Sequence, residues 1–177
     1  HFVRRRQRQM CIRDRARTTI LRDMGAAMSP FNAFMFIQGL ETLALRMREH
    51  SANAEIIAKY LSEHDSVDRV IYPSVMDGYA KDRADKYLTR GNGGLMGFEV
   101  KGGRESGEKF INALEMVYHV ANIGDSRSLA IHPGSTTHSQ LSEEELLSAG
   151  ITPGFVRLSI GLEPVSYTHL TLPTTYE

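Results

Sequence analysis

An arginine in the middle of an alternating run is the residue of this chain best placed to do chemistry. Residues 155–163 read FVRLSIGLE, with Phe155, Arg157 and Ser159 on one side and Val156, Leu158 and Ile160 on the other, before Gly161. Alternation with a period of two is a strand with one apolar face. On such an element a guanidinium is a planar fork among apolar neighbours, suited to two-point capture of a carboxylate or phosphate. An internal salt bridge would use the same residue type in the same place. The run alone does not choose between the two.

The other chemistry-bearing patterns are weaker. Residues 102–109 (GGRESGEK) imitate a phosphate loop, but Glu108 stands where the motif needs lysine and no Ser or Thr follows; the stretch reads as a turn entering a helix. His132 and His138 lie six apart around a proline loop, with no third ligand at a defined spacing. Cys11 is the single cysteine. An internal disulfide framework is therefore excluded, and a reducing, cytoplasmic compartment is expected. Neither G-x-S-x-G nor G-x-G-x-x-G occurs.

A chain of 177 residues, 41% hydrophobic and 24% charged, is long enough for one domain with a real core. No apolar run approaches the ~20 residues of a membrane span. The net charge of zero conceals an asymmetry. Six Arg and one Asp give residues 1–15 a charge of +5, and Glu177 carries −1, so residues 16–164 carry −4. That mildly acidic body suggests no nucleic-acid surface. The stretch HFVRRRQRQMCIRDR (1–15) has no helical or strand periodicity and no leader-type cleavage site. Taken at face value it is a basic arm for nucleic acid or nuclear import. Together with the Thr-rich end VSYTHLTLPTTYE (165–177), it looks more like translated adapter or vector sequence, which leaves 16–164 as the protein proper.

Elements able to position Arg157 are legible along that body. Ser29 is a good N-cap and Pro30 a good first helical residue. The apolar positions after it predict one long helix over 30–62, apolar almost all round in its first half. Such a helix would bridge two domains or pack under a partner subunit; an ordinary core helix is the plain alternative. Strands are expected at 67–72, 95–100, 117–120, 128–132 and 155–162. Helices are expected at 79–88, at 105–114 with Phe110, Ile111 and Leu114 inward, and at 142–147 with Ser142 as cap. The class is α/β or α+β with a small sheet.

Four stretches together resemble the pyridoxal-phosphate enzymes of cysteine and methionine metabolism, which include cystathionine γ-synthase, methionine γ-lyase and O-acetylhomoserine sulfhydrylase. They are GAAMSPFNAFMFIQGLETLALRMREH at 25–50, GGLMGFEV at 93–100, NIGDSRSLAIHPGSTTHSQL at 122–141 and GITPGFVRLSIGLE at 150–163. The likeness covers essentially all of 16–163. Gln38 and the NIGD wording are most similar to the O-acetylhomoserine sulfhydrylase branch.

The resemblance implies the C-terminal domain of a fold-type-I enzyme: a long linker helix within 16–62, then a small, mainly antiparallel sheet covered by helices. It also implies pyridoxal 5′-phosphate as cofactor, an amino-acid substrate, a homotetramer when full length, and no nucleic-acid or membrane partner. The family's S-x-T-K segment with its cofactor lysine has no counterpart, because none of Lys59, Lys81, Lys86, Lys101 and Lys109 stands in such a context. This segment alone is expected to be inactive. By the resemblance, Arg157 pairs with the substrate α-carboxylate, and Asn122 and Thr137 add hydrogen bonds around it. Read from their own surroundings, Asn122 could instead shape the turn with Gly124, and Thr137 could cap its loop. Gly134 stands where the family commonly has Ala.

Overall fold

The computed structural model describes residues 11–165. These fall in two compact units that meet between residues 43 and 44.

In the first unit, residues 11–15 are helical and exposed. A π-helical stretch, Ala16–Leu21, and a short turn, Arg22–Met24, follow before Gly25 (φ +68°) ends the run. Residues 11–15 (CIRDR) form this helix without an apolar stripe, so periodicity does not mark it. Helix α1 (Pro30–Glu41) starts as expected, with the Ser29 hydroxyl accepting from Asn32 N–H at 3.2 Å. None of its residues is buried. Phe31, Phe34, Phe36 and Leu40 are all more than half exposed.

The single helix expected over 30–62 is two. Thr42 leaves helical geometry (φ −99°, ψ 0°) and separates α1 from α2 (Leu43–Ser62). A β-branched residue shortly after Gly39 combines two weak helix formers within one turn. Within the second unit α2 buries His50, Asn53, Ala54, Ile57, Ala58 and Leu61, one face at i, i+3, i+4 spacing.

The remaining elements are β1 (Val67–Ile71), α3 (Gly78–Tyr87), β2 (Leu95–Val100), α4 (Gly103–Asn112), β3 (Tyr118–His119), β4 (Leu129–Ile131), α5 (Glu143–Ser148) and β5 (Phe155–Ser159). The sheet order is β1-β2-β5-β4-β3, antiparallel except for the β3–β4 pair. This is the mainly antiparallel, helix-covered sheet expected from sequence. β3 is shorter than expected, two residues of the four in 117–120. At α5 the capping box is complete: Ser142 Oγ accepts from Glu145 N–H, and the Glu145 carboxylate accepts from Ser142 N–H at 2.9 Å.

The core lies on one face of the sheet. Met96, Phe98, Val100, Ala130, Val156 and Leu158 meet Ile57 and Leu61 of α2 and Phe110 and Ile111 of α4. The Phe98 and Phe110 rings meet edge to face, 5.3 Å between centroids. Because β5 sits between β2 and β4, its apolar residues are covered on both flanks, and Val156 and Leu158 are almost fully buried. Arg157 is thereby carried on the central strand, with its Cα opposite Gly97 on β2 and Ile131 on β4.

Candidate functional site

The face of β5 away from the core carries Phe155, Arg157 and Ser159, the alternation read from sequence. Gly97 makes room there. A Cβ at that position would collide with the Phe155 ring, which leans across β2 beside the arginine. Gly97→Ala is expected to displace that ring and to cost about 1–3 kcal/mol, read as a lowered denaturation midpoint.

Arg157 is half-buried. None of the salt bridges among the described residues involves it. Its Nη2 donates one bond, to the Asn122 backbone carbonyl at 3.3 Å. The internal salt bridge that the sequence left open is thus not formed among the described residues. A guanidinium has five N–H donors in a fixed fork, so most of its capacity remains for an anion.

The loop over this face follows β3. Asn122 Oδ1 accepts from the N–H of the next residue, Ile123, at 2.9 Å, and the chain turns at Gly124, which takes a positive φ of 77°. Gly124 N–H then donates to Ser159 Oγ at 3.3 Å. The loop is therefore tied to both polar residues of the β5 face, Arg157 and Ser159. Asn122 meets Arg157 through its backbone while its side-chain oxygen bonds to Ile123 at that turn, so the local role anticipated from sequence is present in the structure.

One residue further, Asp125 accepts from Arg127 N–H at 3.0 Å and from its guanidinium at 3.3 and 3.4 Å. The Arg127 guanidinium lies over the Tyr118 ring, 4.6 Å from its centroid. Hydrogen bonds from the Arg127 side chain, then from its backbone, hold the Asp125 carboxyl below its ordinary value of 3.8. A lowered folded-state pKa means that the link is intact above the ordinary value and is lost as pH falls through the lowered one. The Arg127 amide is accordingly expected to show protection relative to its free-peptide exchange rate near neutrality, and to lose that protection only in acid, below the ordinary carboxylate range.

Thr137 is exposed, and its hydroxyl meets His138 Nδ1 at 2.8 Å. No hydrogen bond among the described residues joins it to Arg157 or Asn122. Of the three residues singled out from sequence, the structure brings two into contact and places the third in the neighbouring loop.

His132 is buried, with Nε2 2.8 Å from the Pro153 carbonyl and Nδ1 2.9 Å from Ser135 Oγ. A carbonyl only accepts, so Nε2 carries the proton. Nδ1 is thus committed to the 132–136 turn and Nε2 to the chain at Pro153. A Cβ on Gly134 would sit 3.5 Å from the His132 ring, ordinary contact, and no positive φ stands in the way. Gly134→Ala is expected to stabilise the chain by about 0.4–1 kcal/mol, read as a raised denaturation midpoint.

Sequence reasoning missed the residues that hold this site from behind. Ser128 donates from N–H and Oγ to the two carboxylate oxygens of Glu163, at 2.7 and 3.0 Å. Asn53 Nδ2 donates to the carbonyls of Gly161 and Glu163 at 3.2 and 3.0 Å, and His50 Nδ1 donates to the Ile160 carbonyl at 2.7 Å. The signal that could have found them is a set of polar residues, His50 and Asn53, on the apolar face of α2.

The lysines do not fit a covalent cofactor site. Lys81 pairs with Asp85 and Lys109 with Glu105, each at 2.9 Å, and Lys101 Nζ donates to the Asp65 carbonyl at 2.6 Å. Lys86 lies over the Tyr87 ring, and Lys59 is in the last turn of α2. None is brought to Arg157 by any contact among the described residues. What the site can do is hold an anion at a fixed position on a rigid strand.

The family model for the Cys/Met metabolism PLP-dependent enzymes matches residues 6–167. The O-acetyl-L-homoserine sulfhydrylase of Leptospira meyeri is 53% identical over 152 residues, 85% of this chain and 34% of that protein. The L-methionine gamma-lyase of Pseudomonas putida is 40% identical over 153 residues, 86% of this chain and 38% of that protein. Among solved structures, a Campylobacter jejuni protein described as an O-acetylhomoserine (thiol)-lyase, bearing a pyridoxyl-lysine phosphate, superposes with a TM-score of 0.81 at 45% identity. The match covers 89% of this chain and 38% of that one. The chain thus spans about a third of the length of the curated relatives it matches. It belongs to the Cys/Met metabolism family of pyridoxal-phosphate-dependent enzymes.

Proposed function

We propose that this chain is the substrate-carboxylate-binding, C-terminal part of an O-acetylhomoserine sulfhydrylase, which converts O-acetylhomoserine and sulfide into homocysteine and acetate. The observation that carries the reading is Arg157, a guanidinium on the central strand with one backbone hydrogen bond and no carboxylate partner among the described residues. In this reading its fork takes both oxygens of the substrate α-carboxylate, and Asn122 and Thr137 supply hydrogen bonds around it. Clamping the carboxylate fixes the rotation of the reacting Cα against the cofactor, and such orientation contributes to rate in its own right. Pyridoxal phosphate is held by the part of the enzyme outside this segment, since no lysine here is placed for it.

The same reading takes residues 1–15 and 165–177 as foreign sequence and 16–164 as the native segment. It places the exposed apolar side of α1 against the rest of a cytoplasmic homotetramer. Alone, the 177-residue chain is expected to give no turnover with added pyridoxal phosphate.

The 40% identity to a methionine gamma-lyase supports a second reading within the family, a γ-lyase or γ-synthase. Assay of a full-length enzyme carrying this segment separates the two. Homocysteine from O-acetylhomoserine plus sulfide, with little release of methanethiol from methionine, is expected. Efficient cleavage of methionine instead would overturn the sulfhydrylase assignment.

A further inference from the structure

We infer that Glu163 is a positioning residue of the carboxylate site, acting through Ser128 to hold the 122–128 loop over Arg157; this rests on the reading of Arg157 given above. The geometry is a set of hydrogen bonds running from α2 through Glu163 to Ser128, at one end of the loop whose other end meets the arginine. Asn53, 4% exposed on α2, donates to the Glu163 carbonyl at 3.0 Å and so fixes the residue that bears the carboxylate. The two carboxylate oxygens then accept separately from Ser128, Oε1 from N–H at 2.7 Å and Oε2 from the hydroxyl at 3.0 Å. The Ser128 hydroxyl, its own proton directed to Glu163, accepts from Gly161 N–H at 2.9 Å. Leu162 N–H donates to the Ser126 carbonyl at 2.8 Å.

These contacts pin one end of the loop to the segment leaving β5. The other end is pinned by Gly124 on Ser159 and by Asn122 on Arg157. At that end Asn122 and Ile123 are exposed, Ile123 61%. Gly161 shows how closely the two segments approach. A Cβ there would collide with the Glu163 carboxylate and with the backbone of residues 126 and 127.

The bonding chemistry explains why a carboxylate is used. Ser128 presents two donors, so both atoms facing them must be acceptors, and an ionised carboxylate offers two. Glutamine would keep one acceptor and turn a donor toward the other Ser128 group. The bonds lost in such a variant lie in the loop support and not in the sheet core, which is formed by other residues. The consequence expected is a loop that samples more positions above Arg157, lowering the fraction of molecules competent to clamp the substrate.

The test is the kinetics of E163Q and S128A in a full-length enzyme carrying this segment, beside Arg157→Ala. Both variants are expected to raise KM for O-acetylhomoserine about tenfold with kcat changed by less than about twofold. The cofactor absorbance band and the KM for sulfide should stay unchanged, and amide exchange at Gly124 and Ser128 should quicken. A residue that merely supported folding would lower active concentration and kcat without that selective shift in KM. Normal KM in E163Q, or a fall in kcat alone, overturns the inference. If E163Q does not accumulate, S128A decides by the same criteria, because it keeps the Ser128 N–H bond to Glu163. The two claims fail separately: a normal KM in Arg157→Ala removes the carboxylate reading itself, whereas a raised KM there with normal values in E163Q and S128A removes only the positioning role.

Discussion

Arg157→Ala in a full-length enzyme carrying this segment is expected to lower kcat/KM for O-acetylhomoserine about a hundredfold, mostly through KM, with the cofactor absorbance intact. The size follows from what is removed. Truncating one partner of a desolvated, hydrogen-bonded charge pair costs ~2–5 kcal/mol, and ~2.7 kcal/mol is two factors of ten. The fold should tolerate the change. Arg157 makes no ion pair among the described residues, and its one hydrogen bond there, at 3.3 Å, goes to the backbone of an exposed loop residue. The apolar face that stabilises β5 is supplied by Val156 and Leu158, which point the other way. Arg157→Lys should recover only part of the loss, because lysine restores charge but not the planar two-point grip. Loss of the cofactor band in Arg157→Ala would instead mark the arginine as structural.

The second large effect is on stability. Phe98→Ala is expected to destabilise the chain by about 3–5 kcal/mol, read as a fall in the denaturant midpoint. Phe98 is 1% exposed and central to the cluster beneath the sheet. It stands opposite Val156 across β2 and β5, and its ring meets Phe110 of α4 edge to face. Truncation would leave a cavity under the strand that carries Arg157, where α4, β2 and β5 meet and cannot readily collapse into it. A loss below ~1 kcal/mol would mean that the core is looser than its burial indicates.

The parts of this fold legible in the sequence are those whose signals are local. The β2 strand was readable to the residue because LMGFEV lies between glycine pairs, and α5 because Ser142 and Glu145 form a capping box within four residues. The start of α1 followed from Ser29-Pro30. Arg157 was readable because alternation alone separates it from Val156 and Leu158. The break at Thr42 was less visible, since apolar positions continue through it and both sides are helical.

The support of the site was not readable, for a physical reason. Glu163 meets Ser128 across 35 residues, and Asn53 meets Gly161 and Glu163 across 108 and 110. Such pairs are created by the sheet order β2-β5-β4 and by α2 packing onto it, not by any spacing along the chain. Polar residues on a buried helix face were the only trace, and they do not name their partners. The resemblance assigned Thr137 to the site, while its hydrogen bond here is to its own neighbour, His138.

The measurement closest to the central claim is a two-by-two comparison of kcat/KM for O-acetylhomoserine and for its carboxamide, with wild-type enzyme and with Arg157→Ala. The cycle isolates the interaction between the guanidinium and the substrate carboxylate from every other effect of either change. The wild type is expected to prefer the acid by about a hundredfold and Arg157→Ala to lose nearly all of that preference, a coupling of ~2.7 kcal/mol. Equal preference for the acid in both enzymes would contradict it, because the carboxylate would then be held by something other than Arg157.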